Sequence, residues 1–236
     1  TRACFEAPEG YSFVGADLEQ IELRMLAHFL EPYDKGEYIE AVLQGDIHSY
    51  NRDKAVEYLP WLGKRPDSRD VAKTLIYATI YGGGPAVIGA AAGAGIKEGK
   101  QLQNAFFSGI PALPKLIDLA KAQFSSRGYL RGLDGRPLYP RSEHSSLNIL
   151  LQSSATVVFK RATVLIHHSL CEAGLDKYAD QVVHIHDEVQ FVVRNDHADQ
   201  VGQLICDAYK KAGDELGIRI PTPGSFKVGK DWSETH

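Results

Sequence analysis

The stretch VVHIHDEVQFVV, residues 182–193, decides how this chain is read. Two β-branched runs, Val182 to Ile185 and Val189 to Val193, flank His186-Asp187-Glu188. That pattern predicts a strand, a tight turn and a second strand. Adjacent acids at a turn ordinarily face solvent. Here the flanking runs are so apolar that a buried sheet is expected to present the turn, a setting suited to a cation-holding carboxylate. Far upstream, YSFVGADLEQ (residues 11–20) predicts another strand, from Ser12 to Ala16 after a Pro-Glu-Gly turn, with Asp17 at its end. Taken alone, Asp17 reads most simply as the cap of the following helix. If instead Asp17 and Asp187 lie on neighbouring strands, their hard oxygen ligands can share two Mg²⁺ ions about 4 Å apart.

The rest of the chain is mostly helical in pattern. Ile21, Leu23, Leu26, Phe29 and Leu30 predict a helix ending near Glu31-Pro32. A second is expected over Gly36 to Leu43, and a third capped by Asp46. Residues 59–68 read as a loop, after which Ser68 caps a helix to about Tyr81, stopped by Gly82-Gly83-Gly84-Pro85. Helices follow near Ile96–Ser108 and Pro111–Ser126, then a hairpin around Asp134-Gly135. A long helix, Ser145 to Ala173, precedes the 182–193 hairpin, and a helix from Ala198 to Leu216 and a strand at Phe226 to Val228 follow it. Few strands, widely separated by helices and without an internal repeat, make this an α+β fold.

Composition narrows little. The 236 residues are 44% hydrophobic and 24% charged, which excludes disorder and low-complexity classes. Cys4, Cys171 and Cys206 are too few and scattered for a disulfide scaffold, so a reducing compartment is the default. A net charge of -4 does not by itself suggest a nucleic-acid partner. No apolar run is expected to span a membrane. Because the chain starts at Thr1 without a leader-like segment, it is expected to be part of a longer protein. GAGIKEGK, residues 93–100, misses both common phosphate-loop spacings and reads as a turn before a helix. His184 and His186 share a strand face but lack further ligands, and His167-His168 point apart on their helix, so a zinc hydrolase is a weak reading.

A third constellation carries more. In RDVAKTLIYATIYGG, residues 69–83, Arg69, Lys73 and Tyr77 recur every four residues and form one helix stripe. Two cations followed by an aromatic ring suit a nucleoside triphosphate, with charge at the phosphates and the ring at the sugar and base. A solvated basic edge is the plain alternative for any single helix.

Together these segments resemble family A DNA polymerases, most of all the replicative enzymes of T-seven-like phages. DLEQIELRMLAHF resembles the family's first palm motif, RDVAKTLIYATIYGG its fingers-helix motif and HDEV its third. DIHSYN, LNILLQS and the closing DWSETH are similar to linking segments, all in the expected order from Arg2 onward. The resemblance implies an antiparallel palm sheet with helical fingers. The palm would comprise residues 1–45 and 126–236, with the 182–193 hairpin, and the fingers residues 46–125, with the nucleotide-binding helix over 68–81. Thumb and exonuclease have no counterpart here and would lie in the same or another chain. A processivity factor, recruited through that thumb, would be a further partner, and no membrane is expected.

The implied activity is template-directed DNA synthesis: dNTP is joined to the primer 3′-hydroxyl on primer–template DNA, with two Mg²⁺ ions (Mn²⁺ as a substitute). Asp17, Asp187 and the Leu18 carbonyl would hold metal, with Glu188 a supporting carboxylate. His48, Arg69 and Lys73 would contact the triphosphate, and Lys73 would be the general acid to pyrophosphate. Glu22 would exclude a 2′-hydroxyl. Tyr77, where many relatives carry Phe, would permit dideoxynucleotides. Tyr81 and Gly82 would frame the templating base, Asn148 and Gln152 the minor groove at the primer end, and Arg24 and His186 the primer terminus. His144 stands where bacterial members commonly have Arg, Ala78 where the family often has Gly, and Leu18-Glu19 where it usually has Tyr-Ser. The alternatives are a non-catalytic DNA-binding remnant and a single-subunit RNA polymerase or reverse transcriptase. Glu22 opposes the RNA polymerase and the 77–83 helix end opposes the reverse transcriptase. Cytoplasmic location, in the host if phage-encoded, is the matching expectation.

Overall fold

A computed structural model describes residues 1–236. The elements run β1 (Tyr11–Leu18), α1 (Ile21–Asp34), α2 (Glu37–Leu43), α3 (Ile47–Val56), α4 (Ser68–Ile80), α5 (Pro85–Ala91), α6 (Ile96–Gly109) and α7 (Ala112–Arg127). They continue with β2 (Leu130–Arg131), β3 (Pro137–Leu138), α8 (Ser146–Glu172), β4 (Ala179–Ile185), β5 (Glu188–Arg194), α9 (Ala198–Glu215) and β6 (Gly224–Gly229). The chain divides into two compact units, one of residues 1–25 with 154–236 and the other of residues 26–153. These divisions fall inside α1 and α8.

The first unit is built on a four-stranded antiparallel sheet in the order β4-β5-β1-β6. Alternation along β1 sorts its side chains by face. Val14, Ala16 and Leu18 are buried, as are Val189, Phe191 and Val193 of β5. Helix α9 covers this sheet through Val201, Ile205 and Tyr209, and Tyr209 Oη donates to the Ala16 carbonyl at 3.1 Å. Gly15 and Asp17 fall on the opposite face, paired across the strands with Gln190 and Glu188.

The second unit packs α3, α4, α5 and α6 around Ile47, Leu75, Ile76, Leu102 and Phe106, all buried. A smaller cluster joins Ala120, Leu130, Leu138 and Leu150 to Phe29, Phe124 and Ile149. It seats the β2–β3 hairpin, which the Asp134-Gly135 turn closes with Gly135 at φ 84°.

Four expectations need correction. Helix α5 is an added element: Pro85 does not only stop α4 but occupies the first turn of a new helix, where its missing N–H costs nothing. Ser68 is the first helical residue rather than the cap, a place taken by Asp67 without a side-chain bond. Strand β4 is an exposed edge, with Val182 and Ile185 open to solvent, so only β5 gives the 182–193 turn a buried base. Finally, residues 143–172 form one helical stretch long and apolar enough to cross a membrane, with mean hydropathy 1.4, although half of its most apolar window is buried inside the protein.

Candidate active site

Asp17 is the next-to-last residue of β1, and two residues, Glu19 and Gln20, separate that strand from α1. It is therefore a sheet residue and not a helix cap. Its backbone partner across the ladder is Glu188, the first residue of β5. The turn between β4 and β5 contains only His186 and Asp187, and His186 takes a left-handed φ of 52° to close it. The Leu18 amide donates to the Asp187 carbonyl at 3.1 Å, tying the turn to the end of β1. The Asp17 and Asp187 carboxyls meet within hydrogen-bonding reach.

The electrostatics follow from this crowding. Burial first, then the charges of Asp187 and Glu188, push the Asp17 carboxyl up to about 6. Burial raises Asp187 as well, with Glu22 and Glu188 adding to it. Both carboxyls thus resist ionisation unless a cation compensates them. A hard divalent ion suits this pair, since it takes oxygen ligands and favours the charged form. The third acid behaves differently. Glu188 is buried, which raises its pKa, but bonds from Gln190, Trp232 and His236 outweigh that and leave it lowered. Both of its oxygens are already engaged, Oε1 by Trp232 at 2.6 Å and Gln190 at 2.7 Å, and Oε2 by His236 at 2.6 Å.

Arg24, expected at the primer terminus, turns inward. It is buried, with Nε on the Glu19 carbonyl at 2.7 Å and Nη1 on the Pro221 carbonyl at 2.9 Å. These bonds brace the turn that follows Asp17. His186 is exposed at the hairpin tip, and Glu22 is half-buried in the first turn of α1.

In the second unit, α4 exposes Arg69 and Lys73 and half-buries Tyr77, so the stripe is real. His48, in the first turn of α3, joins it: its ring centroid lies 6.1 Å from that of Tyr77. Burial, followed by the charges of Arg69 and Lys73, lowers the His48 pKa, as expected for three cationic groups gathered together. Asp46 organises the cluster. Its carboxylate caps α3 through the Ser49 amide at 3.2 Å and grips Arg69 in a fork, Nη2 at 3.0 Å and Nε at 3.1 Å. The Arg69 guanidinium beside Asp46 holds that carboxyl far below the usual range.

Beyond α4, Tyr81 is exposed and its hydroxyl accepts from Gln152 Nε2 at 3.3 Å. Gly82 has φ 77°, and a Cβ there would lie 2.2 Å from the His144 carbonyl oxygen, so the backbones at 82 and 144 can meet only without a side chain. The adjoining cavity, of about 280 Å³, is lined by Gly82, Gly83, Phe107, Lys121 and His144. Asn148 is half-buried with Nδ2 enclosed and unbonded, a donor in want of an acceptor.

Three partners were not assigned from the sequence. Trp232, His236 and Asp46 all grip residues that were, but no spacing rule links positions 44, 48 and 23 residues apart. The Asp46 cap and the DWSETH segment were the only signals available.

An antiparallel sheet that converges two aspartates, with a helical unit that gathers cations on one helix, has the architecture of a polymerase palm with helical fingers. The sequence agrees: a model of DNA polymerase family A matches residues 1–234, and the chain belongs to that family. It is 34% identical to the DNA-directed DNA polymerases of Enterobacteria phage T3 and Escherichia phage T7, covering 94% of this chain and 33% of each relative. It is 28% identical over its whole length to DNA polymerase I of Pseudomonas aeruginosa, covering 26% of that protein. The chain thus spans about a third or less of these relatives. Among solved structures, the POL domain of Pol1 from M. smegmatis, in complex with DNA primer-template and dNTP, aligns with a TM-score of 0.85 at 25% identity. That alignment covers 99% of this chain and 42% of the other.

Proposed function

We propose that the protein carrying this chain extends a DNA primer along a template, joining a dNMP from dNTP to the primer 3′-hydroxyl and releasing pyrophosphate. The observation that carries the reading is the meeting of the Asp17 and Asp187 carboxyls, both pushed towards protonation, at the junction of β1 and the β4–β5 turn. Asp17, Asp187 and the Leu18 carbonyl would hold two Mg²⁺ ions, or Mn²⁺ in their place. Such ions, when bound, supply charge stabilisation to the attacking and leaving oxygens.

The chain's own groups do the rest. Arg69, Lys73 and His48 bind the triphosphate, and Lys73 supplies a proton to the departing pyrophosphate. Tyr77 sits at the sugar, and Glu22 excludes a 2′-hydroxyl. Tyr81, Gly82 and His144 border the template base, and Asn148 and Gln152 read the minor groove. His186 lies at the primer end. Residues 1–45 and 126–236 act as palm and 46–125 as fingers. A thumb and an exonuclease would lie in the same or another chain, with a processivity factor recruited through that thumb, and the reaction takes place in the cytoplasm.

Single-nucleotide incorporation by the full-length protein tests this. Asp17→Asn and Asp187→Asn should each lower the rate by about a thousandfold or more, while primer–template affinity changes less than threefold. Comparable losses in rate and affinity would contradict the assigned roles.

A further inference from the structure

The segment DWSETH, residues 231–236, has no part in the chemistry proposed above, yet it closes on the face of the sheet that bears Asp17. Asp231 Oδ1 accepts from the amides of Ser233 and Glu234 at 2.7 and 3.3 Å and shapes a turn. That turn directs Thr235 into the sheet face and brings the half-buried Trp232 and the exposed His236 to Glu188. Trp232 Nε1 donates to Glu188 Oε1 at 2.6 Å, and His236 Nδ1 donates to Oε2 at 2.6 Å. Thr235 Oγ1 donates to Gln190 Oε1 at 2.8 Å, and Gln190 Nε2 completes the circuit on Glu188 at 2.7 Å. Glu188, Gln190 and Thr235 are buried, so the bonds among them are shielded from water, while Trp232 and His236 reach Glu188 from the rim.

Strand β1 leaves room for this network. A Cβ at Gly15 would lie 2.3 Å from Gln190 Nε2 and 2.6 Å from the Thr235 carbonyl oxygen. Beside it a cavity of about 230 Å³ is lined by Asp17, Glu188, Ser225, Lys227 and His236. Asp17 and Glu188 are cross-strand neighbours that share this cavity. A Glu188 side chain without its donors would have only Gln190 to restrain it, and a cation held by Asp17 would attract it.

We propose that Trp232 and His236 are positioning residues for the cation site. They hold Glu188 by both oxygens, so that the site is made of two aspartates and not of three carboxylates. The inference rests on the polymerase reading, in which Asp17 and Asp187 hold divalent ions.

Mn²⁺ binding to the full-length protein, followed by electron paramagnetic resonance without DNA or nucleotide, separates the two. Trp232→Phe combined with His236→Ala should tighten Mn²⁺ binding at least threefold. It should also lower kcat for incorporation about tenfold with KM for dNTP unchanged. Adding Glu188→Gln to that variant should return Mn²⁺ affinity to the starting value, and His236→Asn, which keeps a donor near the Nδ1 position, should behave as the unaltered protein. Unchanged or weaker Mn²⁺ binding in the double variant, or no reversal by Glu188→Gln, overturns the proposal. If the double variant does not fold, Trp232→Phe alone carries the same two tests, because Phe retains the ring packed against Phe5. Asp187→Asn is the separate control: wild-type Mn²⁺ affinity in that variant would overturn the underlying polymerase reading itself.

Discussion

Asp17 shows how a single carboxyl couples function to stability. Its pKa is pushed from 3.8 up to about 6, so the folded chain binds a proton more tightly than the unfolded one. The stability contributed by that proton is fully present below 3.8 and lost as pH climbs through about 6. Metal-free protein with Asp17→Asn should therefore melt higher than the unaltered chain at pH 7.5, with a gain that shrinks steadily towards pH 4. Differential scanning fluorimetry in chelator measures this, and a gain that does not vary with pH contradicts it. Glu188 has the opposite sign: its lowered pKa contributes stability above about 4.5 that is lost as pH falls. Two acids paired across neighbouring strands thus shift in opposite directions, because burial and other carboxyls act on one and hydrogen-bond donors hold the other.

The turn after α4 decides how that helix ends. Four punctuating residues follow Tyr81, but they are not equivalent. Gly82 needs its positive φ and its close approach to the backbone at 144, whereas Gly84 has open space and an extended conformation. Gly82→Ala should cost about 1–3 kcal/mol, lowering the melting temperature by several degrees, while Gly84→Ala should be near neutral. Equal effects in thermal melts would mean that the 82–144 approach relaxes freely. The hairpin turn is a parallel case. The tight His186-Asp187 connection forces a left-handed His186, and the same geometry carries Asp187 to the end of β1.

At the scale of the whole molecule, charge sets how the chain meets a polyanion. Its net charge is -4, and one local group of basic side chains, Arg69 and Lys73 beside His48, is available to phosphates. Binding of primer–template to the 236-residue chain alone should be weak. If about three phosphates are neutralised, affinity should fall about 40-fold between 50 and 200 mM salt. Fluorescence anisotropy across that range measures the slope, and salt-independent binding would rule out a phosphate-led contact.

Much of this was legible in the residue order. Periodicity located α6, α7, α8 and α9 to within a few residues, because each has one apolar face long enough to reveal its repeat, and the Asp46 cap marked the start of α3. The motifs singled out Asp17, Asp187 and the Arg69–Lys73–Tyr77 stripe. Local pattern could not tell Asp17 the strand residue from Asp17 the cap, nor Pro85 the helix starter from Pro85 the helix stop, since both readings obey the same short-range rules. It also missed the inward turn of Arg24, the fork of Asp46 on Arg69 and the grip of Trp232 and His236 on Glu188. The amino-acid sequence determined which side chains bear charge and which segments take helix or strand, for these depend on near neighbours. Only the tertiary structure decided which carboxylate is free and which is held, because a pKa and a hydrogen bond depend on groups that the chain brings together from afar.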